Sequence, residues 1–411
     1  MGPIALFDKS FLQALSVDEA VLFDYFFLPV ISPLFFVETL GDLSREPTKG
    51  GRSPAEIVGS IAFKSPEMHG APCAFHGTLG HSSLLGFDPP FTGQIPRTGG
   101  KRVQVGENRG VVFEPSEEAQ AFGRWQEDQF LELERQYASR WRAALSQIDL
   151  RRVAASTARF GVDPKTAKNL EQVRDLAGTV LRRLSPAEQL KLALQALSIP
   201  ERDHEILTRW FRAGNPPLRD FARYANFVTE IEVFFALALA SGKISAERAS
   251  NRCDISYLFY LPFCNVFISS DRLHRDCAPF FLRSDQDFVW GPDLKRDLAA
   301  QNELLLALPE AERDRGLVAL APTPQEGLIR RLWEKHVPRA LLPPSHVDLS
   351  AEGSAGLASM VQEFASAPAH DQVEDAVFEG ELDSVTQQRM LQHKRGSWYQ
   401  LPKDLPKKSG A

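Results

Sequence analysis

Residues 254–271 read Asp-Ile-Ser-Tyr-Leu-Phe-Tyr-Leu-Pro-Phe-Cys-Asn-Val-Phe-Ile-Ser-Ser-Asp. The run opens on an acid, passes through an apolar stretch that Pro262 halts, and turns β-rich from Asn265 to Ser269. It predicts a short buried helix entered at Asp254, then a strand whose end delivers Ser270 and Asp271. In open α/β sheets ligands bind beyond the carboxyl ends of the strands, so Asp271 stands where chemistry is expected. The N-terminus repeats the arrangement, because Ile4-Ala-Leu-Phe7 predicts a strand ending in Asp8-Lys9-Ser10. A third acid, Glu38, is the only charge in the apolar run Ile31–Leu40.

The flanking sequence extends this pattern. Phe11 to Leu15 predicts one helical turn, and Ser16-Val-Asp-Glu19 is a capping box opening a helix to about Phe27. Leu28 to Ser32 predicts a second buried strand, and Pro33 suits the first turn of a helix that carries Glu38 and fades near Leu43. The order β-α-β-α is the beginning of a parallel sheet. Residues 46–115 are rich in Gly and Pro and poor in periodicity, which predicts a loop segment with a hairpin from Lys101 to Phe113.

From Ser116 to Ser241 the pattern is helical. Phe130, Leu133, Tyr137, Trp141 and Leu145 stripe one face; Leu170, Val173, Leu176, Val180 and Leu184 stripe another. Ser185-Pro-Ala-Glu188 opens a further helix, and Phe221, Tyr224, Val228, Ile231 and Phe235 stripe the last, which Gly242 is placed to end. Further helices are expected at Leu273–Leu282, Leu294–Leu308 and Gln325–His336. The expected fold is therefore α/β, a Rossmann-like parallel sheet with a discontinuous core (1–45 plus 246–292). A large mainly α-helical insertion (116–245) interrupts that core. A helical C-terminal extension (293–411), partly disordered beyond Leu405, follows it.

At 411 residues the chain exceeds what one core usually supports. Its 43% hydrophobic and 24% charged content is that of a soluble globular protein. A net charge of −6 gives no global basic field, although it leaves room for a local basic groove. Four cysteines without a CxxC pair fit a reducing cytoplasm. No signal-peptide pattern opens the sequence, and the longest apolar runs fall short of the roughly 18 residues a membrane span needs. A cytoplasmic protein with no membrane partner is the expectation.

Acids gathered at strand ends repel one another and raise each other's pKa unless a cation intervenes. Mg²⁺ or Mn²⁺ is the natural partner for such oxygen donors. Asp8 and Asp271 are the expected direct ligands, with Asp254 and Glu38 as ligands or water-positioning groups. Ser10, Ser269 and Ser270 are placed to orient waters or a phosphate oxygen, and Arg252, Arg272, His274 and Arg275 to meet phosphate oxygens. The plainer reading is that Asp8 and Asp254 cap helices, for which Asp is among the best residues. Glu38, in a run too apolar to solvate it, has no such explanation.

Ile4-Ala-Leu-Phe-Asp8, Val30–Leu40 with Glu38, Asp254, and Asn265-Val-Phe-Ile-Ser-Ser-Asp271 together resemble the PIN-domain nucleases. By that resemblance Asp8, Glu38, Asp254 and Asp271 form an acidic tetrad, which implies a Mg²⁺/Mn²⁺-dependent endonuclease of a kind that acts most often on RNA. The match covers residues 4–44 and 251–285. Glu38 and Asp254 lie more than two hundred positions apart, where a compact member needs a few tens, so the intervening block is an insertion whose role the family does not supply. The alternatives are a catalytically inactive PIN-like scaffold binding RNA or a protein partner through the helical block, and a Rossmann-like phosphatase. The phosphatase expects Asp-x-Asp at the first strand, where this chain has Ser10. A homo-oligomer or a regulatory partner is compatible with either nuclease or scaffold.

Lesser candidates are a zinc cluster of His69, Cys73, His76 and His81, the Asp285-Gln-Asp287 turn, an added ligand at Asp276, and Trp398 with Tyr399 as a base-stacking pair or a docked terminal segment.

Overall fold

The computed structural model describes residues 2–44, 51–65, 73–97, 100–105, 108–112, 117–337 and 393–404. The chain is mixed α/β and mostly helical, built on one four-stranded parallel sheet. β1 (Ile4–Phe7) pairs with β2 (Leu28–Val30) on one side and β5 (Val266–Ser269) on the other; β6 (Asp287–Trp290) pairs with β5. All four residues of β5 are buried, as expected of a parallel strand covered on both faces.

Side-chain alternation divides the molecule in two. Leu6 and Phe267, register partners, enter one apolar cluster; Ala5, Phe7, Val266 and Ile268 enter the other. The first cluster is filled by the insertion from Leu150 onward, centred on the helix Arg223–Ala240. The second holds α1 (Lys9–Ala14), α2 (Val17–Phe26) and α3 (Pro33–Gly41), and the later helices Gly291–Leu306 and Leu328–His336. The insertion is not one body. Its first helices, α6 (Glu117–Gln126) and α7 (Glu132–Ser146), join the second face through Phe122, Trp125 and Ala138.

The β-α-β-α opening is present, with the capping box of Ser16 and Glu19 formed in both directions. So is the box at Ser185 and Glu188, and Gly242 follows the helix Arg223–Ala240 at a φ of +71°. The expected hairpin forms as β3 (Lys101–Val105) against β4 (Asn108–Val112). The loop expected over 46–115 is otherwise wrong. It contains α4 (Pro54–Lys64) and α5 (His76–Leu85). Ser53-Pro-Ala-Glu56 is the same capping sequence as Ser185-Pro-Ala-Glu188 and forms the same reciprocal bonds.

The stripe on α7 also behaves differently from expectation. Leu133 and Tyr137 are 72% and 49% exposed, whereas Ala138 is buried and the Trp141 ring lies against Gly41. Periodicity marks a face but not the length of helix that finds a partner. After β5 the chain forms only the short helix Arg272–Cys277 and a 3-10 turn (Ala278–Phe280), not a helix to Leu282.

A terminal hairpin, β7 (Lys394–Arg395) and β8 (Trp398–Tyr399), docks on the second face. Trp398 is buried and its Nε1 donates to Asn302 Oδ1 at 2.8 Å; the Ser397 N–H donates to Asp18 Oδ1 at 2.8 Å. Docking rather than base stacking accounts for Trp398. The expected disorder beyond Leu405 lies outside the described residues. Among those residues no helix is long and apolar enough to cross a membrane.

Candidate functional site

β2 and β5 flank β1 on opposite sides, so the sheet's switch point lies between β1 and β5. Crevices beyond strand ends at such points are where ligands bind in α/β sheets. Asp8 follows β1 there and Asp271 follows β5, while the Asp8 N–H donates to the Ile268 carbonyl at 3.2 Å.

Asp8 caps α1. Its Oδ1 accepts from the Phe11 N–H at 2.9 Å, and its Oδ2 accepts from the Ser10 hydroxyl at 2.6 Å and the Ser269 hydroxyl at 2.8 Å. Burial works to raise its pKa, but the neighbouring His274 and these donors outweigh it and hold the carboxyl below its ordinary value. Asp271 caps the helix Arg272–Cys277, its Oδ1 accepting from the Leu273 N–H at 2.6 Å. The plainer expectation of capping therefore holds for Asp8, and Asp271, for which it was not made, caps as well.

Asp254 differs from expectation. It lies inside the helix Asn251–Ser256 rather than opening it, so it caps nothing. Among the described residues no group donates to its carboxylate. Burial, with the charges of Asp271 and Glu38, pushes its pKa up to about 7 against the opposing charge of His274. Glu38 stands on α3 with Oε2 accepting from the Tyr257 hydroxyl at 2.6 Å. Burial raises its pKa, opposed by the charge of Lys9 and the Tyr257 hydroxyl and reinforced by the charge of Asp8. Lys9 reaches the Glu38 carbonyl at 3.1 Å and Asp42 Oδ2 at 3.0 Å.

His274 was expected against substrate, but it is 1% exposed and lies inside, between the rings of Tyr257 and Phe267. Its Nδ1 is 2.7 Å from Ser269 Oγ and its Nε2 is 2.6 Å from the Asp254 carbonyl oxygen. The hydrogens can be counted. Ser269 has one hydroxyl proton; the ionised Asp8 carboxylate can only accept, so that proton goes to Asp8 and Nδ1 must donate. Nε2 faces a carbonyl and must donate too. His274 is therefore an imidazolium, in agreement with a pKa raised to about 9, where Asp8 and Asp254 overcome the effect of burial.

Of the other expected contacts, Arg272 is exposed beside Asp271, and Ser10 is exposed but turned onto Asp8. Ser270 abuts Gly291 at the start of the helix Gly291–Leu306. Arg252 is committed to Glu232 at 2.7 Å, Arg275 stacks on Trp290, and Asp276 pairs with Arg275. Asp287 belongs to β6 and binds Lys335 and His336. The zinc cluster does not assemble among the described residues: Cys73 is buried, His76 packs on Phe259 and Tyr260, His81 faces Asp203, and His69 lies outside them. Tyr257 was missed; its signal was a hydroxyl-bearing side chain one helical turn after Asp254 in an apolar run.

Three of the four acids keep oxygens without a donor among the described residues: Glu38 Oε1, Asp271 Oδ2 and both oxygens of Asp254. Among the described residues, no group of three or more His, Cys, Asp or Glu side chains forms a ready metal cage. Glu38 and Asp254 are each raised in part by neighbouring carboxylates, a repulsion that a cation between them would relieve.

Comparison with protein-family models, curated proteins and solved structures returned no match for this chain.

Proposed function

We propose that this chain is a metal-dependent phosphodiesterase, a PIN-like endonuclease acting on RNA. The observation that supports this reading is the gathering of Asp8, Glu38, Asp254 and Asp271 near one switch point, with Glu38 and Asp254 raised by charges from the same group. Mg²⁺ or Mn²⁺ would be held by the free oxygens of Glu38, Asp254 and Asp271, where it would acidify a bound water and offset phosphate charge. Asp254, raised by burial and by the charges of Asp271 and Glu38, is a carboxylate whose ionised form a bound cation would favour. Arg272 is exposed next to Asp271 and suits a phosphate oxygen. His274 and Lys9 hold the carboxylates together from within.

The test is cleavage of varied RNA and DNA by purified protein with Mn²⁺ or Mg²⁺. Asp8→Ala and Asp271→Ala are expected to abolish it while leaving the circular dichroism unchanged. RNA left intact by the wild-type protein under both metals ends the nuclease reading.

One observation favours a second reading, an inactive PIN-like scaffold that binds RNA or a protein. The carboxylate oxygens of Asp8 are fully engaged by internal donors, and Lys9 and His274 already supply positive charge. Calorimetric titration with Mn²⁺ separates the two, since a scaffold shows no heat that Asp271→Asn removes.

A further inference from the structure

Away from the carboxylates, Gln13, Arg52, Ile57, Ser60, Ile61 and Lys64 line a cleft of about 210 Å³. It lies where the end of α1 meets α4. Ile57, Ser60, Ile61 and Lys64 are spaced as one face of a helix. Arg52 stands just ahead of the α4 cap, its Nη1 3.5 Å from Ser60 Oγ. Lys64 Nζ donates to the Gln13 carbonyl at 3.1 Å, and Lys295 donates to the adjacent Ala14 carbonyl.

Three cations thus converge on one end of α1. The pKa of Lys64 is lowered, first by burial and then by the charges of Arg52 and Lys295. The balancing acid is Glu19, which already serves the Ser16 N–H at 2.6 Å and Lys295 at 3.2 Å. Capping of the α1 carbonyls uses one donor of each lysine; Lys64 keeps its other two, while Lys295 also meets Glu19. It explains nothing about Arg52, which makes no close ion pair among the described residues, although its charge reaches the exposed Glu56 carboxylate four residues on. Like charges held together at a cleft lower their mutual repulsion when an anion enters.

We propose that this cleft is an anion site that takes a phosphate group, with Arg52 and Lys64 as the charged contacts and Ser60 as a hydroxyl donor. Arg supplies a planar fork matched to phosphate oxygens, and Lys a mobile point charge. Ile57 and Ile61 form the apolar floor. Asp8 caps the start of α1 and Gln13 lies in its last turn, so the cleft lies roughly 8 Å along that helix from Asp8 at 1.5 Å per residue. The proposal does not depend on the nuclease reading.

The experiment is calorimetric titration of the full chain with inorganic phosphate at low ionic strength. Saturable binding is expected, weakened roughly tenfold in Arg52→Ala and in Lys64→Gln. Arg52 is exposed, so its removal leaves the core intact. Asp271→Asn is expected to leave phosphate binding unchanged, which separates this site from the carboxylates. Displacement by a 5′-phosphorylated oligonucleotide but not its 5′-hydroxyl counterpart supports a terminal phosphate; displacement by both supports a backbone phosphate. Absence of saturable binding, binding unaffected by both cleft substitutions, or loss in Asp271→Asn overturns the proposal.

Discussion

The Tyr257 hydroxyl donates to Glu38 Oε2 at 2.6 Å across a sequence separation of 219. That bond ties α3, laid down before the insertion, to the apolar run that follows it. It holds one Glu38 oxygen and leaves the other open. Tyr257→Phe keeps the ring and removes the donor, leaving a buried carboxylate oxygen unmatched. The expected cost is about 1–3 kcal/mol by urea denaturation. A further rise in the Glu38 pKa should accompany it, visible by carboxyl-carbon NMR; a stability within error of wild type would show the bond contributes nothing.

Asp254 sets a pH dependence. Its folded pKa of about 7 lies above the ordinary 3.8, so the folded state binds the extra proton between these values. Its contribution favours folding at low pH and is lost as pH rises through about 4 to 7. Asp254→Asn is neutral throughout and should gain stability relative to wild type across that window, most clearly at pH 8. Denaturant midpoints of both proteins at pH 5 and pH 8 measure it, and an unchanged difference between the two pH values refutes it.

Ser269 Oγ joins three groups: it lies 2.8 Å from Asp8 Oδ2 and 2.7 Å from His274 Nδ1, and accepts the Asp271 N–H at 2.9 Å. Ser269→Ala strands His274 Nδ1 and the Asp271 N–H and leaves Asp8 Oδ2 with Ser10 alone, at an expected cost of about 2–4 kcal/mol from coupled bonds. Ser269→Thr retains the hydroxyl. Its thermal midpoint should fall nearer wild type than that of the alanine variant, and the reverse order would exclude the hydrogen-bonding explanation.

Gly291 opens the helix after β6, where a Cβ would overlap Ser270 Oγ and come within 3.1 Å of Phe11 Cδ2. Gly291→Ala is expected to lose about 1–3 kcal/mol through overpacking, despite alanine's better helix propensity. Pairing it with Ser270→Gly should recover most of the loss. A double-mutant cycle reads the coupling directly.

β1 and β5 were legible as short apolar runs ending in acids and β2 as a short apolar run ahead of Pro33, whereas β6 was hidden behind the turn residues Asp285-Gln-Asp287 that lead into it. Capping sequences marked several helices. Ser53-Pro-Ala-Glu56 carried the same signal and was obscured by the glycines and prolines around it. Asp254 was placed at a helix entry because Asp favours caps; the structure instead enters that helix at Ser250, whose side chain makes no capping bond. His274 was read as reaching outward because it follows Asp271 among arginines. Only packing between Tyr257 and Phe267 turns it inward, and no local pattern encodes that. The division of the insertion between two faces was hidden for the same reason, since periodicity gives a helix a buried side without naming what buries it.

The central strand has a temporal consequence. β1 accepts β5 through pairings such as Ala5 with Val266, 261 positions on. At about 5–20 residues per second, translation leaves β1 with one open edge for on the order of 10–50 s. The nascent chain must therefore shield that edge on or near the ribosome, until residues synthesised much later arrive to cover it.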